Sequence, residues 1–465
     1  MPSVQTGDNN ETNLTDTFFQ LHRHTLTNGL RVWCVPRPNT GTVAVMAHLP
    51  VGVRAEKPEY NGIAHFLEHM LFTGTERWNE ADITDVVRRV GGECNAETAR
   101  EETSYYIHLP ATELAFGLDW LHQLLFKPTL PQDKFEKERQ VIINEKGGDY
   151  EYLQRAWEWL EDHNLGWHVD RAVLRRIYPH SSFLLPIIGT DRTLKNITYT
   201  TLVNFYETYY VPHHVTLLVV GDVVPAQVFD MVEHQFGSIT DRVTPNPIPP
   251  VTVNEQGFDV RLHGPTPTHQ GQLFVGCVLG NNAHPDRFVW YTIGEMLENT
   301  YLQKMRYDRG MSYDTQVYPN LYSDTGHFKI YTNVDLNDLA LARELILEEI
   351  YRLREGNFGL IDVQDAKNAL RGRALLNLQD NLELASWISS DAITLRDDNA
   401  PYEDYFVGIH CVTPEDVQRV AQHYFSPERM HFVEHRPVLT TKEIFFGSLA
   451  FAGAAVLFTM RKNQS

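Results

Sequence analysis

His65, Glu68 and His69 stand within five residues of one another in the stretch NGIAHFLEHMLFTGTERWNE, residues 61–80. On an α-helix, positions i and i+4 lie one turn apart on a common face, so both imidazoles can reach a single ion. Imidazole nitrogens suit a borderline divalent cation such as zinc, held tetrahedrally with one position left for water. Glu68, at i+3 from His65, sits beside those ligands, where a carboxylate can take a proton from water. The neighbours Phe66, Leu67, Met70, Leu71 and Phe72 are core-type residues. Three polar side chains among them are expensive to bury without a shared partner. A lone histidine on an apolar face is ordinarily a satisfied core residue. Two at i,i+4 with a carboxylate between them point instead to a ligand set.

A catalytic zinc centre takes three protein ligands, so one must come from elsewhere in the chain. In DKFEKERQVIINEKGGD, Glu138 and Glu145 are seven residues, or two helical turns, apart and share a face. Val141 and Ile142 between them read as the buried side. Spacing alone leaves both glutamates open as the third ligand.

These groups need elements to hold them. HRHTLTNGLRVWCVPRP reads as strand, Asn-Gly turn, strand, and GTVAVMAHLPVG as a third strand before the His65 helix. NEADITDVVRRVGG reads as a helix closed by glycines, and CNAETAREETSYYIHLP as a strand pair. Two long helices are expected over roughly 111–127 and 131–147, then a strand ending at Gly221 and the helix PAQVFDMVEHQFG. TDRVTPNPIPPVTV, with prolines at 245, 247, 249 and 250, reads as an extended linker. A similar order then begins again: strand HQGQLFVGCVLG, a helix through Trp290, a strand pair and the long helix LNDLALARELILEEIYRLRE. The pattern predicts an α+β fold of two duplicated units, each a mostly antiparallel sheet packed with helices. At the place of the metal-type helix the second unit carries Trp290, Tyr291 and Thr292 with no histidine pair, so only the first copy keeps the chemistry. The expected organisation is a polar tail over 1–20 and a first unit over 21–240, elaborated at about 150–182. A linker over 241–256, a second unit over 257–438 and an apolar tail over 439–465 follow.

At 465 residues the chain exceeds one ordinary core. A net charge of −20 and the lack of any Lys/Arg-rich run argue against nucleic-acid binding. Four scattered cysteines, Cys34, Cys94, Cys277 and Cys411, with no CxxC pair read as free thiols in a reducing compartment. The first twenty residues have neither an apolar signal core nor an arginine-rich presequence. Residues 444–460, IFFGSLAFAGAAVLFTM, form an uncharged apolar run followed by Arg461 and Lys462. Such a run spans roughly 26 Å as a helix, the short edge of what a bilayer needs. The expectation is a single-pass C-terminal membrane anchor with the folded part facing the cytoplasm. A buried terminal helix is the alternative.

The stretch HFLEHMLFTGT, with Glu145 in ERQVIINE 76 residues after His69, resembles the M16 (pitrilysin-like) zinc peptidases, whose H-x-x-E-H signature inverts the order of HExxH. The likeness runs from about residue 22 to 435 and takes in GGECNAETAREETSYY, PIIGT at 186–190, YYVPHHVTLLVVGD and LQKMRYDRGMSYD. It implies a fold of the LuxS/M16 metalloenzyme type and one Zn2+ per chain, bound by His65, His69 and Glu145. It further implies that Glu68 is the general base and that Glu138 orients the ligands. Substrates would be short or unfolded polypeptides, added as a strand along Asn95, Ala96, Glu97 and Thr98. Arg306 and Tyr313 would hold the substrate carbonyl. Chambers of this family are closed by four such units, so a two-unit chain implies a homodimer or a heterodimer with a related subunit. The competing expectation is a non-catalytic structural or peptide-binding subunit.

Overall fold

The computed structural model describes residues 19–147, 156, 159–160, 168–246, 248–264, 268–302, 304–305, 309–392 and 405–438. The first six-stranded sheet has the order β1 (His22–Thr25), β2 (Arg31–Pro36), β6 (Thr216–Gly221), β3 (Thr42–Leu49), β5 (Thr103–Pro110), β4 (Glu93–Thr98). β2 and β6 run parallel and every other pair is antiparallel. The second, five-stranded sheet has the order β7 (Phe258–Gly264), β11 (His431–Pro437), β8 (Gln270–Leu279), β10 (Gly326–Asp335), β9 (Ser312–Leu321), with β11 and β7 parallel and the rest antiparallel. The chain is thus a two-domain α+β protein with mostly antiparallel sheets.

Strands β2, β3 and β6 are near-continuous apolar runs because both faces of the first sheet are covered. With a side-chain period of two, Val32, Cys34, Val43, Val45, Leu217 and Val219 point to one face. There they meet helices α1 (Ile63–Leu71) and α3 (Leu114–Phe126), with α2 (Glu80–Arg89) and α4 (Gln132–Gly147) in the same core. Trp33, Val35, Ala44, Met46, Leu218 and Val220 point to the other face, where Leu384, Ala385 and Ile388 of helix Asn381–Ala392 cover them. That helix belongs by sequence to the second half.

The reverse exchange also occurs. Helix Val169–Ile177 lies in the segment expected to elaborate the first unit, yet its Val169, Val173, Leu174 and Ile177 pack on Phe274, Val278 and Val433 of the second sheet. Each sheet keeps its own helices on one face and borrows cover for the other. Sequence adjacency cannot reveal this, because an amphipathic helix specifies an apolar face and not which sheet receives it.

A buried charge cluster ties the halves at the turns. Arg54, 2% exposed, pairs with Glu101 of the β4–β5 turn and with both carboxylate oxygens of Asp324 in the β9–β10 turn, at 2.8 and 2.9 Å. It also donates to the Pro249 carbonyl at 2.6 Å, and its guanidinium lies over the Phe183 ring at 4.6 Å. One detail of α4 departs from expectation: Ile142 and Ile143 are buried, whereas Val141 is 40% exposed. Val141 is three residues from Glu138 and four from Glu145, so it shares their face rather than the opposite one. Among the described residues no helix is long and apolar enough to cross a membrane. The apolar run 444–460 lies outside the described residues.

Candidate metal centre

Helix α1 begins at Gly62, whose φ of +94° favours glycine and which offers no side chain to cap the helix. The cap comes from outside. Glu56, 6% exposed, accepts from the Gly62 and Ala64 backbone N–H groups at 2.9 Å each and from Asn61 Nδ2 at 2.6 Å. Burial pushes its carboxyl up to about 7 against the opposing pull of those three donors. Gly189 of the PIIGT loop, φ +79°, abuts the same turn so closely that a Cβ on it would meet the Asn61 carbonyl oxygen at 2.6 Å. The apolar side of α1 (Phe66, Leu67, Met70, Leu71) enters the core, and Phe66 stacks on Phe135 of α4 at 4.8 Å. That packing sets α1 beside α4.

The consequence is convergence. His65, His69 and Glu145 place one ligand atom each within 4.8 Å of one another, and among the described residues no other trio of His, Cys, Asp or Glu does so. The two rings lie 4.7 Å apart, edge to face. His69 Nε2 is 3.5 Å from Glu145 Oε2, while its Nδ1 is 3.7 Å from Glu138 Oε2. The glutamates left open by spacing are therefore told apart by the ring nitrogen each faces. Glu138 is buried and Glu145 is exposed to the cleft.

Glu68 accepts a short hydrogen bond from the Thr98 hydroxyl at Oε2. Burial raises its carboxyl to about 7; Thr98 opposes the rise, and Glu145 and Glu97 add to it. Burial and the neighbouring His69 push His65 down to about 4, which keeps its imidazole neutral as a ligand must be. His65 Nδ1 is buried without a hydrogen-bond partner among the described residues. The carboxylates of Glu68, Glu138 and Glu145 line the same cleft as the two imidazoles. A divalent cation fits that donor set.

The cleft over these groups has a volume of about 980 Å³, and β4 forms one wall with Asn95, Ala96 and Thr98. β4 is the last strand of its sheet, so its outer backbone edge pairs with no other strand among the described residues. Thr98 is buried and turned to Glu68, whereas Asn95 is exposed. Arg306 lies outside the described residues. Tyr313 is placed by its backbone alone, as the second residue of β9. Glu56 and the Thr98–Glu68 contact were not foreseen. Glu56 is separated from α1 by a 3-10 turn, Pro58–Tyr60, and no local spacing rule marks such a cap.

The chain is similar to known proteins along most of its length. Residues 31–159 match the model of Insulinase (Peptidase family M16), and residues 196–370 match that of the Peptidase M16 inactive domain. The chain is 28% identical over 363 residues to a Bacillus subtilis protein named as an uncharacterized zinc protease, YmxG, covering 77% of this chain and 85% of that one. It is 26% identical over 425 residues to the mitochondrial-processing peptidase subunit beta of Saccharomyces cerevisiae, covering 84% of this chain and 86% of that one. Among solved structures, a protease from Helicobacter pylori superposes with a TM-score of 0.79 at 23% identity, over 90% of this chain and 100% of that one.

Proposed function

Because the chain belongs to the M16 peptidase family and gathers His65, His69 and Glu145 beside Glu68, we propose that it is a zinc-dependent endopeptidase acting on short or unfolded polypeptides. His65, His69 and Glu145 hold the ion, and Glu138 orients His69 through Nδ1. When bound, zinc supplies Lewis acidity, polarising a carbonyl and lowering the pKa of water. Glu68 accepts the proton of the attacking water as the new C–O bond forms. It then delivers that proton to the leaving nitrogen as the C–N bond breaks. Thr98 occupies Oε2 of Glu68, which leaves Oε1 for the proton. The outer edge of β4, at Asn95 and Ala96, receives the substrate as an added strand, reading backbone more than side chains.

Arg306 and Tyr313 of the second unit hold the scissile carbonyl and stabilise charge developing on it. They act across an interface, either with a second copy of this chain or with a related M16 subunit. The observation that carries the reading is the approach of three ligand atoms to within 4.8 Å, with Glu68 on the same helix as two of them. The test is Glu68→Gln on a quenched peptide library, with bound metal quantified in parallel. The expected result is about one zinc per chain, as in wild type, with cleavage reduced at least about 10³-fold. Substantial residual turnover would refute the role of Glu68, and wild type without zinc would refute the reading as a whole.

A further inference from the structure

We propose that Glu56 is a positioning residue for the metal centre, a buried carboxylate that sets where the helix bearing His65, Glu68 and His69 stands against α4. This rests on the metal reading above. Helix α1 is nine residues long and its N-cap glycine supplies no side chain, so its first turn is held by Glu56 from outside. The grip has two points. Oε2 takes Gly62 N–H and the Asn61 amide, while Oε1 takes Ala64 N–H, the residue directly before His65. A carboxylate bound through both oxygens to successive parts of one turn resists rotation as well as sliding. It also sits at the positive end of the helix, where negative charge is favoured.

The support continues outward. Asn61 Nδ2 also donates to the Pro186 carbonyl at 2.9 Å, joining the turn to the loop whose Gly189 lies against it. Glu56 is itself held in place: its N–H donates to Val53 at 3.1 Å, and the N–H groups of Val53 and Arg54 donate to Ala99 and Arg100 of the β4–β5 turn at 3.2 and 2.8 Å. Arg54, two residues before, is the guanidinium of the inter-unit cluster. The segment 53–56 thus refers the metal helix to both β4 and the second unit. Glu138 and Glu145 stand on a separate helix, so only the placement of α1 brings the two imidazoles to them. A functional constellation of this kind tolerates about 0.5 Å and 10–20° of error.

Substitution by Gln turns one oxygen into an amide donor facing backbone donors, so at least one of the three bonds is lost while the shape is kept. The experiment is chelator competition for zinc on the full chain, comparing wild type, Glu56→Gln, Glu56→Ala and Asp324→Asn, each checked for folding by circular dichroism. Expected is zinc affinity about tenfold weaker in Glu56→Gln and weaker again in Glu56→Ala. Asp324→Asn, which loosens the inter-unit cluster but spares the cap, is expected to bind zinc like wild type. In turnover, Glu56→Gln should lower kcat with KM little changed, because the peptide-binding edge is untouched. Wild-type zinc affinity in Glu56→Gln overturns the proposal and leaves the metal reading standing. Equal weakening in Asp324→Asn also overturns it, since general loosening then suffices. A wild-type chain that binds no zinc sinks both.

Discussion

His69 has a glutamate of α4 at each ring nitrogen, Glu138 at Nδ1 and Glu145 at Nε2. Glu138 at Nδ1 is placed to fix the ring, so Glu138→Gln should weaken zinc affinity about 10–100-fold without removing a ligand. Chelator competition reads this directly, and unchanged affinity would remove Glu138 from the centre. On the other side, Thr98 holds one oxygen of Glu68. A hydrogen bond to a charged group contributes about 1.5–3 kcal/mol, so Thr98→Val should lower kcat roughly 10–100-fold. Zinc content should not change, and a loss of metal would mean that Thr98 supports the ligands instead. The histidine pair was legible from spacing alone. The choice between Glu138 and Glu145 was not, because seven residues put both on one face and only the approach of α1 assigns a ring nitrogen to each.

Among the elements, the crossed helices are the main departure from a serial reading of the chain. Leu384 is fully buried against the first sheet although its helix lies in the chain between strands β10 and β11 of the second. Leu384→Ala should therefore cost about 2–5 kcal/mol in denaturant unfolding. The first unit should loosen in the same transition; separate transitions, with the first unit unchanged, would contradict the packing. Arg54→Ala would leave Glu101 and Asp324 without their shared cation, a loss of about 3–5 kcal/mol for a buried pair broken on one side.

For the whole molecule, burial pushes His327 down to about 3, aided by nearby positive charge. The Asn320 amide nitrogen, 3.3 Å from Nε2, can only donate, and Nδ1 lies 3.1 Å from the Tyr178 hydroxyl across the inter-unit core. The folded state therefore holds this imidazole neutral where the unfolded chain, with its ordinary value near 6.5, takes up a proton. Stability from this group is complete above about 6.5 and falls as the pH drops toward 3, by up to about 1.4 kcal/mol per pH unit. His327→Gln should flatten that part of the pH–stability curve, and an unchanged slope would place the acid sensitivity elsewhere. At the level of assembly, the proposed two-chain arrangement predicts that activity tracks association. Sedimentation showing a fully active monomer would overturn it.

What the amino-acid order determined by itself was a metal-type pattern of two histidines and a glutamate on one helix, the alternation of strands and helices, and the repetition of that order without the histidine pair in the second half. These are local signals, carried by periods of two and 3.6 residues. What only the tertiary structure decided was which glutamate meets which nitrogen, that the Thr98 hydroxyl bonds Glu68, that Glu56 caps α1, and that each half roofs the other's sheet. All four depend on contacts between segments whose relative placement is set by burying apolar faces, and an apolar face names no partner.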